Sequence, residues 1–341
     1  MTTVRPVRRT APTLEAVAAE AGVSRSTVSR VVNGSNQVSG DAVAAVQDAI
    51  ERLNYIPNRA ARSLANRQTM AIALVVPEDI SRFFGDPYFS AVVQGIARGL
   101  EDSDYVLTLQ LASPSRPSKK TIRYLLGGNV DGALVVSHHT GDQFLAELGA
   151  SLPVVFGGRP VDPENTPGYY IDVDNVSAGA LATQRLIDIG RTRIAMIAGP
   201  PDMPAGVDRT QGWRRALEAA GLAADRISYG DFSLASGSRA MNELLDRHPD
   251  LDGVFIASDL MATGAMTVLT ERGLSVPKDV AIVGFDDSPA ATAGVVQLTT
   301  VHQPSLEMGE KMAEMMLGLL RGESIEPAAA MATRLVIRDS A

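Results

Sequence analysis

Eight short apolar runs recur along residues 71–286: AIALVV, YVLTLQL, DGALVV, PVVF, YYIDV, RIAMIAG, GVFIAS and VAIVGFD. Runs this short, apolar on consecutive rather than alternate positions, are strands buried on both faces. Amphipathic stretches separate them, at about 89–100, 178–189, 213–220 and 261–272. Strand–helix alternation of this kind requires parallel sheets with helices over both faces. Residues 128–137 (GNVDGALVVS) and 249–258 (PDLDGVFIAS) are alike, so the region is expected to form two similar α/β lobes. Paired parallel sheets turn their strand C-termini toward a shared cleft, where such folds bind ligands.

The N-terminal stretch has a different period. Residues 13–33, TLEAVAAEAGVSRSTVSRVVN, read as two short helices joined at Gly22. Val17, Ala18, Ala21, Val23, Val28 and Val31 supply contacts between them, and Ser24 is placed to cap the second helix. A third helix is expected over about 41–53, with Ser39 as cap and Val43, Val46, Ile50 and Leu53 as its stripe. The second helix carries Arg25, Ser26, Thr27, Ser29 and Arg30. A capped, arginine-bearing second helix of an all-α helix-turn-helix has the chemistry to enter a DNA major groove.

Charge is divided along the same boundary. Residues 1–69 hold nine arginines and five carboxylates, a net of +4, and the remainder holds 22 basic and 34 acidic residues, a net of −12. A basic head on an acidic body favours phosphate contact at one end only. The first twelve residues, with Arg5, Arg8 and Arg9, have no periodic apolar pattern and read as a solvated tail. No apolar run is long enough to span a bilayer, and no signal-peptide core follows the N-terminal arginines. Zero cysteine fits a reducing cytoplasm.

Asn33-Gly34 marks a turn, and Pro57 forces a break before RAARSLANR (59–67). Asn58 can cap a short helix to about Asn66, too short to hold unaided in water. The domains are therefore expected as a head over 1–57, a linker over 58–69 and a two-lobed unit over 70–341.

AGVSRSTVSRVVNG followed by LNYIPNRAARSLANRQT resembles the lactose/purine-repressor family of bacterial transcription regulators, and the resemblance runs along the whole chain. It implies a periplasmic-binding-protein-like core of the type I class closing on a small effector. It also implies a linker that becomes a hinge helix on pseudo-palindromic operator DNA and pairs with its dimer mate. By that resemblance Leu64 wedges into the minor groove beside Asn58, Ala61 and Arg62; the alternative is that Leu64 buries against the body. Thr13, Asn33 and Tyr55 join the helix-turn-helix residues as DNA contacts. GPPDMPAGVDR, GDFS and FGGRP resemble the actinobacterial branch that senses cello-oligosaccharides, which points to a disaccharide or short oligosaccharide such as cellobiose.

Polar residues at strand ends are the candidate effector contacts: Arg159, Asp172 with Asp174, Asp259 and Asp286, with Arg209 near the start of a helix. Arginines and carboxylates fork onto vicinal hydroxyls, and Trp213 or Phe84 is suited to stack on a pyranose. The resemblance implies that Arg209 and Asp286 bind effector hydroxyls and places a further polar contact at Ser258 and Asp259. Ser258 and Gly158 stand where the lactose repressor has asparagine and aspartate, which points away from a galactoside. Competing structural roles are open: Trp213 as core, Asp174-Asn175 as a helix cap, Asp287 as a cap or partner of a structural arginine. LTTVHQP (298–304) resembles the purine repressor's segment, but lying after a strand and before a helix it reads as a crossover between lobes rather than a purine contact.

There is no phosphate-cradling glycine motif, no GxSxG elbow and no metal-ligand spacing among His138, His139, His248 and His302. No cofactor, metal or enzymatic activity is expected. His138-His139 ends a strand near the cleft, where ligand contact is open to the pair, although adjacent strand-end residues point apart. The expected function is a cytoplasmic homodimeric repressor of carbohydrate metabolism, released from its operator when a sugar closes the lobes. The alternatives are a co-repressed regulator of the same family, or a sugar-binding protein without gene control. The tetramer-forming heptads of the lactose repressor are missing after Ile337.

Overall fold

The computed structural model describes residues 12–32, 37–55, 68–112, 119–142, 144–161 and 168–341. The chain divides into two compact units, Met1–Met70 and Ala71–Ala341.

In the first unit the described elements are α1 (Leu14–Ala21), α2 (Arg25–Val32) and α3 (Gly40–Leu53). Thr13 caps α1, its hydroxyl accepting from the Ala16 N–H at 3.3 Å. Gly22 ends it at φ +65, a left-handed conformation that carries no Cβ penalty in glycine. Ser24 caps α2 as the sequence requires, accepting from the Thr27 N–H at 3.1 Å. Val17, Ala18, Val28, Val46 and Ala49 form the core with Tyr55. Two details differ from expectation: Ala49 is buried where Val43 is only half-buried, and Ser39 occupies the cap position of α3 without a side-chain bond. The tail, the Asn33-Gly34 turn and the helix expected over 58–66 lie outside the described residues.

The second unit contains two six-stranded sheets. The first takes β1 (Ala71–Val76), β2 (Val106–Leu111), β3 (Gly132–Val136), β4 (Val154–Gly157), β5 (Tyr169–Val173) and, late in the chain, β11 (Ala328–Met331). The second takes β6 (Ile194–Ala198), β7 (Ile227–Tyr229), β8 (Gly253–Ile256), β9 (Ala281–Asp286), β10 (Thr299–His302) and β12 (Arg334–Val336). Their orders, β11-β5-β4-β3-β1-β2 and β12-β10-β9-β8-β6-β7, are the same pattern repeated. All pairings are parallel except that of β10 with β12. The two alike decapeptides end in β3 and β8, which hold equivalent places in the two sheets.

Burial on both faces explains the continuous apolar runs. In β1, Ile72, Leu74 and Val76 pack into one core cluster and Ala71, Ala73 and Val75 into another. The helices between strands are α4 (Ile80–Gly85), α5 (Pro87–Gly99), α6 (Lys119–Leu126), α7 (Phe144–Ser151), α8 (Asn175–Asp188), α9 (Pro204–Ala219), α10 (Leu234–Arg247), α11 (Asp259–Glu271) and α12 (Ser305–Leu320). α9 begins nine residues before the expected 213, because Pro204 is tolerated in the first turn, where no helical N–H bond is lost.

The chain passes between the sheets three times: from β5 to α8, from β10 to α12, and from β11 to β12. The residues expected to form a crossover are thus in part a strand, Thr299–His302, with the crossing made directly after it.

Candidate functional site

Strand ends and crossovers bound a cleft between the two sheets, the place where paired parallel sheets bind small molecules. Arg209 lies at its base. Pro204 starts α9, and about one and a half turns of helix carry Arg209 under the cleft, where it is 5% exposed. Its Nε donates to Asn175 Oδ1 at 2.9 Å, one terminal nitrogen to the Ala257 carbonyl at 2.7 Å, the other to Gln303 Oε1 at 2.8 Å. Its guanidinium carbon stands 3.5 Å from the centre of the Phe285 ring. Asn175 and Gln303 belong to two different crossovers, so a single side chain ties the C-terminal lobe to both.

Close helix contact makes this reach work. A Cβ on Gly212 would lie 2.1 Å from the Val176 carbonyl oxygen, and one on Gly179 would lie 2.6 Å from that of Arg209. No larger residue fits without parting α8 from α9, which carry Asn175 and Arg209.

Carboxylates face the arginine. Asp286 ends β9 with an oxygen 3.8 Å from the Arg209 guanidinium. Burial drives its carboxyl well above the usual range despite the nearby cation. Asp172 accepts from the Arg159 N–H at 2.8 Å, the Val173 N–H at 2.7 Å and the Asn175 amide at 3.0 Å. Burial also raises the Asp172 and Asp86 carboxyls, and the Tyr88 hydroxyl above them. Arg209 donors beside carboxylates that have little solvent of their own suit hydroxyls, which can donate to one and accept from the other.

Two sets of bonds cross the cleft directly. Arg159, after β4, forks onto Asp208 of α9 with both contacts at 2.8 Å. His139 bridges Glu78 at 3.0 Å and Asp202 at 2.9 Å, and the Thr140 N–H donates to the Asp202 carbonyl at 3.0 Å. Arg82 pairs with Glu78, and Ser137 donates to the same carboxylate at 2.7 Å. Burial opposes charge on both Glu78 and His139. Their mutual bond, with Arg82 on one side and Asp202 on the other, outweighs it, lowering the Glu78 pKa and raising that of His139.

Of the expected effector residues, Arg159, Asp172, Arg209, Ser258 and Asp286 line the cleft. Ser258 also caps α11, accepting from the Met261 N–H at 3.3 Å. Three others do not line it. Trp213 is 0% exposed and sits in the core, because it falls on the face of α9 turned toward the sheet. Asp259 is equally buried, its carboxylate taken up by the Thr300 hydroxyl at 2.6 Å and the Ser288 N–H at 2.8 Å, and burial pushes its pKa up to about 7. Phe84 is 73% exposed on α4 and packs edge-on against Phe83, outside the cleft lining. The apolar walls come instead from Tyr88, Met203, Phe232 and Met308. Asp86, Tyr88, Phe232 and Gln303 were missed as contacts. Only the GDFS motif and the HQP segment hinted at two of them.

The competing structural roles sort out clearly. Asp174 caps α8 through the Ser177 N–H at 2.9 Å, whereas Asn175 serves Arg209. Asp287 pairs with Arg338 at 2.6 Å and His302 at 3.0 Å.

In the head, Arg25, Ser26 and Arg30 are exposed on α2 and Thr27 and Ser29 are half-buried. Ser24 binds the hydroxyls of Ser26 and Thr27 at 2.7 and 2.8 Å, and Arg25 pairs with Glu15 at 3.0 Å across the turn. Tyr55, expected on the DNA side, is packed into the head's core. Asn33, Asn58, Ala61, Arg62 and Leu64 lie outside the described residues. Among the described residues no three metal-ligating side chains converge and no helix is long and apolar enough to cross a membrane.

Comparison with known proteins agrees with both units. Residues 13–58 match the model of bacterial regulatory proteins of the lacI family, and residues 183–341 match that of a periplasmic binding protein-like domain. The chain is 47% identical to the HTH-type transcriptional regulator CelR of Thermobifida fusca, covering 98% of this chain and 99% of that one. It is 34% identical to the ribose operon repressor of Escherichia coli, over 89% and 92% of the two chains. Among solved structures, a transcriptional regulator CelR–cellobiose complex aligns at TM-score 0.74 and 45% identity, covering 97% of this chain and all of that one. The lac repressor dimer bound to operator and the anti-inducer ONPF aligns at TM-score 0.84 and 28% identity, over 97% and 99%. The chain belongs to the lacI family of bacterial regulatory proteins, with a helix-turn-helix head and a two-lobed periplasmic-binding-protein-like core.

Proposed function

We propose that this protein is a cytoplasmic transcriptional repressor, acting as a homodimer on pseudo-palindromic operator DNA and released by a neutral sugar bound between its lobes. Cellobiose, or a short oligosaccharide of the same linkage, is the ligand we assign to it, on the similarity to CelR. The observation that carries the reading is Arg209, buried at the base of the cleft, bonded to residues of two crossovers and facing Asp286. A hydroxyl pair inserted between that guanidinium and that carboxylate bears on the crossovers themselves. Lobe geometry and effector occupancy are thereby coupled, and the sugar shifts the population toward the arrangement it binds better.

In the head, Arg25, Ser26, Ser29 and Arg30 read bases or phosphates, two heads covering two half-sites. Thr13, Asn33 and the linker residues Asn58, Ala61, Arg62 and Leu64 extend that contact. Domains are assigned as 1–57, 58–69 and 70–341, with no catalytic role for any of them. The similarity to CelR, one structure of which holds cellobiose, supports the choice of sugar, and the lac repressor dimer on operator supports the assembly.

The test is a thermal-shift and operator-binding series with cellobiose, cellotriose, maltose, lactose and ribose. A sugar present at about 100 times its Kd raises stability by about 2.7 kcal/mol. Cellobiose or cellotriose is expected to raise the melting temperature and weaken operator binding. Stronger operator binding on adding sugar would make the protein co-repressed, and no response to any of them would remove the sugar reading.

A further inference from the structure

β9 ends in two successive non-glycine residues with positive φ, Asp286 at +112 and Asp287 at +56. Aspartate tolerates the left-handed well near +56, but +112 lies beyond it. Residues in such sparsely populated conformations persist only where their surroundings over-determine them. Here restraint is present on both sides of the pair. β9 and β10 run parallel with Asp286 opposite His302, and the Asp286 carbonyl accepts from the Gln303 N–H at 3.2 Å. On the other side the Ser288 N–H donates to buried Asp259 at 2.8 Å. The Asp287 side chain closes the turn. One carboxylate oxygen accepts from a terminal nitrogen of Arg338 at 2.6 Å, and the other pairs with His302 Nδ1 at 3.0 Å. Arg338 is anchored in turn, its second terminal nitrogen donating to the Leu298 carbonyl and its backbone N–H to the Thr299 hydroxyl, both at 2.9 Å. The two neighbouring aspartates thus have separate surroundings. Asp286 lines the cleft, 3.8 Å from Arg209, and Asp287 lies outside that lining.

We propose that Asp287 and Arg338 are positioning residues of the effector site, their ion pair holding the strained end of β9 so that Asp286 is aimed at Arg209. The inference rests on the sugar reading above. The side chains of Asp287 and Arg338 are only 14% and 18% exposed, so removing one leaves the other charge poorly solvated and the turn free to relax. Relaxation toward ordinary φ values swings the Asp286 carboxylate off the guanidinium. A ligand then has to restore that geometry out of its own binding energy. Substitutions that act on a site without touching its ligand typically change affinity about 3- to 30-fold.

The experiment is calorimetric titration of the full-length protein with cellobiose, for wild type, Asp287→Asn, Arg338→Gln, Arg338→Lys and the double variant Asp287→Asn/Arg338→Gln. Asparagine tolerates the same left-handed backbone as aspartate, so Asp287→Asn removes the charge alone. Asp287→Asn and Arg338→Gln should each weaken binding at least about 3-fold. The double variant should lose no more than the larger single loss. Arg338→Lys, which keeps a cation beside Asp287, should recover part of the affinity lost in Arg338→Gln. Crystal structures of wild type and Asp287→Asn without ligand should show Asp286 turned away from Arg209 in the variant. Single losses below about 3-fold, fully additive losses, or an Asp286 unmoved in the variant would overturn the assignment. Should Arg338→Gln not fold, the affinity and crystal structure of Asp287→Asn decide. Arg209→Met separates the two readings. If wild type binds cellobiose and Arg209→Met does not, the cleft reading stands whatever the Asp287 and Arg338 variants show. If no sugar binds wild type, the sugar reading falls, and the two crystal structures alone decide this inference.

Discussion

The two lobes repeat one strand order, yet they arm the cleft in opposite ways. The C-terminal lobe presents Arg209 already locked by Asn175, the Ala257 carbonyl and Gln303, so its geometry costs little to hold when a ligand arrives. The N-terminal lobe spends its charges on its neighbour: Arg159 on Asp208, and His139, supported by Glu78 and Arg82, on Asp202. One wall is preorganised for hydroxyls, and the other is a set of clasps. On the proposed function, binding energy is placed on the C-terminal side and the balance between lobe arrangements is adjusted from the N-terminal side.

Removing the preorganised charge should have the largest effect. Arg209→Met is expected to lower cellobiose affinity at least about 100-fold by calorimetry, because it removes a hydroxyl donor and leaves Asp286 facing an apolar group. Arg209→Lys should not rescue it, since an ammonium cannot fork onto three partners. An affinity within a few-fold of wild type in either variant would erase the contrast between the lobes.

Gly212→Ala comes next. The added methyl has no room beside the Val176 carbonyl, and the forced separation of α8 from α9 should cost about 1–3 kcal/mol in denaturant titration. Cellobiose affinity should fall with it, because Asn175 and Arg209 move apart. Stability lost without any change in affinity would detach the helix contact from the site.

Breaking a clasp should matter less. Arg159→Gln and Asp208→Asn are each expected to change effector affinity by only about 3- to 10-fold, since Arg159 is partly solvated. A double-mutant cycle should show the two changes to be non-additive. Full additivity would mean that the fork contributes nothing to the balance.

The smallest effect is on pH. His139 faces Glu78 and Asp202 as partners, with Arg82 beyond Glu78 and neutral His138 next to it. Its folded pKa lies above the ordinary 6.5. The bridge therefore contributes in full below about pH 6.5 and is lost as pH rises through the raised value. Between about pH 6 and pH 9 cellobiose affinity should drift by a few-fold, and His139→Gln should reduce the drift, the remainder coming from Asp259 and Asp286, whose carboxyls burial raises. The same profile in wild type and variant would clear His139 of any part in it.

Much of this arrangement is legible in the sequence because its cause is local. The run AIALVV is apolar on both faces because helices cover both, and Ser24 and Asp174 cap because they directly precede amphipathic turns. Arg209, Asp286, Arg159 and Asp172 are legible as polar residues at strand or helix ends, and Ser258 through the family resemblance. What stayed hidden depends on distant pairings. Gln303 becomes a partner of Arg209 only when the second crossover brings it there. Tyr88 and Phe232 become cleft walls only when two lobes oppose. Trp213 and Phe84 were misassigned for the converse reason: an aromatic beside a ligand motif does not reveal which face of its helix meets the cleft. Asp259 and Tyr55 erred likewise, their polar atoms turned inward or packed. The edge strands β11 and β12 carry AAAM and RLV, too short and too weakly apolar to read as strands alone.

The most direct test joins the two units. Operator DNA is obtained by selection from random duplexes with the full-length protein, and its affinity is measured with and without saturating cellobiose. Wild type should release the operator at least about 10-fold on adding the sugar, and Arg209→Met should bind it equally with or without sugar. Operator affinity unmoved by cellobiose in wild type, under conditions where calorimetry shows the sugar bound, would contradict the coupling of cleft to head.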